Sequence, residues 1–159
     1  MVLFPRPDRP GERPYFLARR KVPLADTKEK RMAAFTKEQV AAALDAKAAH
    51  LTKKDVEKIG KSRDTVLRMV QEFPDSHGQA KRQAVLLLDI IAAGTAPAEA
   101  LVQAAAALIY LGAPIDLVPD HEEHGYSDDA AIVALAVTRI EESVRVHCAE
   151  RNLDAEVYL

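Results

Sequence analysis

An all-α fold, a single compact helical bundle behind an extended basic arm, is what three features of this sequence predict. The 159 residues are 48% apolar, mostly Ala, Leu, Val and Ile, with 5% aromatics, six glycines and no Trp. Such alanine-rich composition favours close-packed helices over a sheet. Ser or Thr stands repeatedly three residues before Gln or Asp, a pattern that starts helices, while Gly and Pro fall where helices should end. Between those marks apolar residues recur at spacings of three and four. The length suits one domain that buries roughly two-thirds of its unfolded surface.

Residues 1–24 form the arm. Five of the nine prolines (Pro5, Pro7, Pro10, Pro14, Pro23) lie there among Arg6, Arg9, Arg13, Arg19, Arg20 and Lys21. Proline at that density removes backbone donors and favours an extended, polyproline-like chain. One reading is a tail; the other is a docking arm in which Phe4, Tyr15 and Phe16 are apolar anchors among the arginines. The partner-binding residues of that second reading are Phe4, Arg6, Arg9, Arg13, Tyr15 and Phe16, and the partner is another protein or a second copy.

Residues 25–159 make the helical domain. A short helix is expected over Asp26–Phe35. Thr36 opens the next segment, with Gln39 completing a capping box, and Thr52 offers another start, with Asp55 at the third position. The second carries Val56, Ile59, Val66, Leu67, Val70 and Phe73, with a break expected near Gly60 and an end at Phe73-Pro74. From about Ser76 a helix carries QAVLLLDIIAA to Gly94, a C-terminal cap. Pro97 suits the first turn of a helix running through EALVQAAAALIYL to Gly112. The last helix starts at Ser127 and continues towards Glu150. Its first half, AAIVALAV, is apolar on every side and belongs to the core. Its second half sets Ile140, Val144 and Cys148 in register and pairs Glu141 with Arg145.

Charge divides the chain. Residues 1–85 hold 19 basic against 11 acidic residues, and residues 86–159 hold 3 against 13. This segregation governs how the protein meets partners or its own copies. The basic half interleaves its lysines with Asp45, Asp55, Glu57 and Asp64, as a solvated helix face does, and carries no nucleic-acid module; this argues against nucleic-acid binding. Pro97–Leu111 would extend only about 22 Å against a hydrocarbon core of roughly 30 Å, so no membrane span is expected. A single cysteine, Cys148, excludes an internal disulfide, and the first residues hold no apolar signal-type core, so a cytoplasmic location is expected.

The distinctive segment is YLGAPIDLVPD, residues 110–120, followed by HEEHGYSDD to Asp129. Pro114 cannot continue the preceding helix and Pro119 forces Val118 to be extended, so PIDLVPD is expected to be a rigid turn. Asp116 can accept bonds from nearby N–H groups, and Ser127, Asp128 and Asp129 fit the start of a helix, where negative charge is favoured. Tyr110, Pro114, Ile115, Asp116, Leu117, Val118, Pro119, Asp120, Gly125, Tyr126, Asp128 and Asp129 together resemble the YkvA-like family, a bacterial and archaeal domain of unknown function. The resemblance covers roughly residues 97–137. It implies a helical hairpin and no particular reaction. Where that family usually has an apolar loop, this chain has His121-Glu122-Glu123-His124.

Six carboxylates and two imidazoles, with no positive charge, fall between residues 116 and 129. Crowded carboxylates repel, raise one another's pKa or recruit a cation. The metal-ligand candidates are Asp116, Asp120, Asp128, Asp129, His121 and His124, a mixed set that would take a divalent metal ion as cofactor. The histidines stand three apart in a loop, not four apart on a helix, which is not the zincin pattern. The plain alternative is architecture: the aspartates cap and close a turn. His50, His77 and His147 are isolated and are expected at the surface or at helix ends, and no serine has a nucleophile-elbow context. The favoured expectation is a non-catalytic interaction or adaptor protein with no catalytic residues. The alternative is a metal-binding protein, even a metal-dependent hydrolase, centred on residues 114–129.

Overall fold

The computed structural model of the chain describes residues 35–113, 117 and 125–159. The arm and the expected helix over Asp26–Phe35 lie outside the described residues, except for Phe35. Within them are seven α-helices: α1 (Lys37–Ala48), α2 (Lys53–Lys61), α3 (Arg63–Gln71), α4 (Gly78–Ala93), α5 (Ala98–Leu111), α6 (Ser127–Arg139) and α7 (Glu141–Glu150). Short 3-10 turns cover Asp75–His77 and Ala155–Val157. No strand occurs among the described residues, and the all-α class stands.

The predicted capping box at Thr36 forms, and the start expected at Thr52 is a capping box as well. Thr36 N–H donates to Gln39 Oε1 at 2.7 Å, while Gln39 N–H donates to Thr36 Oγ1 at 3.2 Å. Thr52 N–H donates to Asp55 Oδ2 at 2.8 Å, while Asp55 N–H reaches Thr52 Oγ1 at 3.4 Å. Helix α4 ends at Gly94, whose φ of 65° is the left-handed conformation that glycine adopts without a Cβ clash. Asn152 takes φ 55° after α7, and the Leu153 N–H returns to the Cys148 carbonyl at 2.9 Å, a Schellman closure. Pro97 precedes α5 as its N-cap rather than lying inside the first turn.

Two breaks refine the sequence reading. The α2–α3 break falls at Ser62, just past Gly60 rather than at it, and the last helix divides at Ile140 into α6 and α7. At the first break Ser62 Oγ donates to the Lys58 carbonyl at 2.9 Å; just before the second, Thr138 Oγ1 donates to the Ala134 carbonyl at 3.0 Å. A hydroxyl bonded four residues back competes for a helical carbonyl and bends the helix. Gly60 stays helical, and a Cβ there would meet Ile91 Cγ2 on α4 at 3.4 Å, an ordinary van der Waals distance.

The core is organised around α5, which packs against α1, α2, α4 and α6. Ala104, Ala105, Ala106 and Ala107 are all fully buried. Four consecutive residues sweep about 300° around a helix, so burial of all four means that α5 is covered on nearly every side. Alanine is the side chain that lets so many neighbours approach one helix. Leu44, Leu87, Leu88, Leu108, Ile132, Val133 and Val144 complete the same cluster.

Polar ties fix the periphery. Arg139 binds Asp45 at 2.6 Å and Gln103 at 3.1 Å, joining the end of α6 to α1 and α5. Arg63 meets Asp89 at 2.6 Å between α3 and α4. The predicted Glu141–Arg145 pair forms at 2.8 Å, and Arg145 also holds Glu156 at 2.7 Å. The C-terminal residues lie on α4, where Gln79 and the buried Gln83 donate to the carbonyls of Val157 and Tyr158.

Candidate functional site

Helix α5 is apolar enough that a hydroxyl in its last turn needs a partner if it is to be buried. That hydroxyl belongs to Tyr110, which is 3% exposed. It donates to Asp128 Oδ2 at 2.7 Å, and the Tyr110 hydroxyl oxygen itself accepts the Leu117 N–H at 2.8 Å. The Leu117 N–H also reaches Asp128 Oδ2 at 3.0 Å. Three residues distant in sequence thus share one triangle of hydrogen bonds: the end of α5, the loop at Leu117 and the first turn of α6. A bond to a carboxylate contributes about 1.5–3 kcal/mol, and loss of a partner from a buried group costs comparably.

Asp128 and Asp129 are 0% and 2% exposed, so both carboxylates lie inside the protein at the start of α6. The helix start is where the sequence places them, and the positive end of the helix dipole favours them there. Burial this complete goes further than an ordinary solvated cap, because it turns Asp128 towards a neighbouring helix. Around it, Gly125 is buried and the Tyr126 ring stands 5.2 Å from that of Phe73. The Leu117 side chain packs against the core. The centre therefore clasps α5, α6 and the residue between them.

Residues 100–135 match a family described as "Protein of unknown function (DUF1232)". The match spans most of α5, the clasp and most of α6, within the stretch 97–137 that carries the motif, and its description brings no reaction. Neither a curated protein nor a solved structure matches the chain.

Of the six metal-ligand candidates, Asp128 and Asp129 are both buried at the start of α6. Asp116, Asp120, His121 and His124 lie outside the described residues, as do Phe4, Arg6, Arg9, Arg13, Tyr15 and Phe16. Among the described residues no group of three or more His, Cys, Asp or Glu side chains is placed to hold a metal ion. No described helix is long and apolar enough to cross a membrane.

His147 lies in the last turn of α7, at a helix end as expected, and there it is buried, with Nδ1 lying 3.2 Å from Arg151 Nη1 and Nε2 without a hydrogen-bond partner among the described residues. The guanidinium can only donate, so Nδ1 accepts and Nε2 carries the proton of the neutral ring. Burial, then the Arg151 charge, hold its pKa below the ordinary value. Its neighbour Cys148 is fully buried, and burial pushes the thiol pKa up, which suits packing and not nucleophilic chemistry. His50 is exposed, and His77 is half-buried within a 3-10 turn.

Tyr110, which the sequence places only within the motif that carries the resemblance, is the side chain that closes the hydrogen-bond triangle. The available signal was its position: one hydroxyl closing an otherwise apolar helix, 18 residues before a paired aspartate.

Proposed function

We propose that this chain is a non-catalytic helical interaction protein, with its basic arm, residues 1–24, as the associating element. The observation that carries the non-catalytic part is the Tyr110–Asp128–Leu117 triangle. It supports a structural role for Asp128, a buried carboxylate beside a phenol that joins two helices. A general acid, base or nucleophile needs to meet a substrate, whereas this carboxylate oxygen already accepts two internal bonds. Association is supported by charge: the arm brings six basic residues and three aromatics, and the C-terminal half of the chain is strongly acidic. Disordered tails are usually poor in aromatics, which favours a docking role. Opposite charges speed and orient such an encounter.

Deleting residues 1–24 tests this reading. Helical circular dichroism and cooperative melting should persist while self-association, followed by light scattering, or capture of a protein partner weakens. An arm deletion that leaves association unchanged would sink the proposal.

A second reading, a divalent-metal protein, is favoured by one observation: two adjacent carboxylates are buried at the start of α6. Buried acidic charge is costly and a cation offsets that cost. Calcium, magnesium, manganese or zinc should then raise the melting temperature, because a ligand of the folded state stabilises it by mass action. Asp116→Asn with Asp129→Asn should abolish the shift. Protein purified without a metal-binding tag, free of metal by elemental analysis and indifferent to all four ions, would eliminate this alternative.

A further inference from the structure

Two hollows meet across the start of α5. One, of about 610 Å³, lies between the first turns of α5 and the α6–α7 junction. The other, of about 270 Å³, lies between the α4–α5 connection and α7. Pro97, Glu142 and Ser143 line both, so the two adjoin and together make a trough along α7. Its apolar lining includes Ile90, Ala96, Val102 and Val146, the last 53% exposed. Glu99, Glu142 and Glu150 supply its charge.

The charge of the trough is unbalanced. Glu99 and Glu142 make no ion pair among the described residues, and Glu150 has only Arg151 at 3.9 Å. Arg139 lines one end, but its guanidinium is already engaged by Asp45 and Gln103. An elongated apolar channel with acidic residues along it suits an extended, basic, apolar-anchored peptide. Proline-rich segments fit such channels because their shape is preset and they need few backbone bonds.

We infer that this trough receives the basic arm of a second copy of the chain, an assignment that rests on the association proposed above. Spacing supports the pairing. Glu142 and Glu150 are eight residues apart on one helix, about 12 Å along its axis at 1.5 Å per residue. Arg9 and Arg13 are four residues apart with Pro10 between them, about 12 Å in a polyproline-type chain at 3.1 Å per residue. Two arginines of the arm therefore reach two glutamates of the trough, and Tyr15 and Phe16 follow within a few residues as apolar anchors. Each copy carries both an arm and a trough, so the contact is head-to-tail.

Charge exchange on the full-length chain tests this. Sedimentation equilibrium should show that Glu142→Arg with Glu150→Arg weakens self-association by about tenfold or more, as expected for losing two ion pairs and adding repulsion. Arg9→Glu with Arg13→Glu should do the same, and the four changes together should restore association. A control, Glu38→Arg with Glu72→Arg on exposed sites elsewhere, should leave it intact. Circular dichroism checks that each variant is folded. If the arm deletion abolishes association but the four-fold exchange fails to restore it, the trough assignment is wrong while the arm's role survives. A full-length chain that stays monomeric at all concentrations, or whose arm captures only a different protein, overturns the assignment to a second copy.

Discussion

The hydroxyl of Tyr110 stands 2.7 Å from a carboxylate oxygen of Asp128, joining the last turn of α5 to the first turn of α6. Both groups are buried, and both also meet the Leu117 N–H. The start of α6 and Leu117 are thereby tied to α5. Substituting either partner reports how much of the fold depends on that tie.

Tyr110→Phe removes one oxygen and keeps the ring. It should cost about 1–3 kcal/mol in urea unfolding, since Asp128 and Leu117 both lose a partner. Asp128→Ala should cost at least as much, and the double variant should fall short of the sum because the two share one network. Additive losses would mean that the bond contributes little.

His147 sets a pH dependence. Its pKa is lowered in the folded state by burial and by Arg151, with Asp89 and Glu150 acting in the opposite sense. The unfolded chain takes up a proton near the ordinary value of 6.5, before the folded chain does. Stability from the neutral ring is therefore fully present above that pH and is lost as pH falls from it towards the lower folded value. Thermal melts of the natural chain should fall between pH 7 and pH 5, and His147→Gln should flatten the curve there. Equal slopes for the two proteins would contradict this account.

Gly94→Ala places a Cβ at φ 65°. The left-handed conformation costs an L-residue roughly 1–2 kcal/mol, so a matching drop in unfolding free energy is expected, with little change in helical content. Gly60→Ala differs in kind, because the added methyl meets Ile91 Cγ2 at an ordinary 3.4 Å; it should be tolerated better.

Thr36→Ala removes the hydroxyl that accepts the Gln39 N–H at the start of α1. A loss of about 0.5–2 kcal/mol is expected from chemical denaturation. Thr36→Asn should retain most of the stability, as another good N-cap. Failure of asparagine to rescue would assign the effect to something other than capping.

Local chemistry made the helices legible. Thr36 with Gln39, Thr52 with Asp55, and Gly94 after an apolar run each act within a few residues, so sequence alone determined those starts and ends. The all-α class followed for the same reason, and the start of α6 at Ser127 was marked by its paired aspartates. The break at Ser62 falls just past the glycine that marked it, and the one at Ile140 was marked by neither glycine nor proline; both accompany hydroxyl bonds to carbonyls four residues back, and whether a Ser or Thr makes that bond depends on its surroundings. Only tertiary structure buried His147, because its face of α7 turns inward, and only tertiary structure set Tyr110 against Asp128 across 18 residues of chain. Spacing reports which groups share a helix face; which groups from different helices meet is decided when the helices pack.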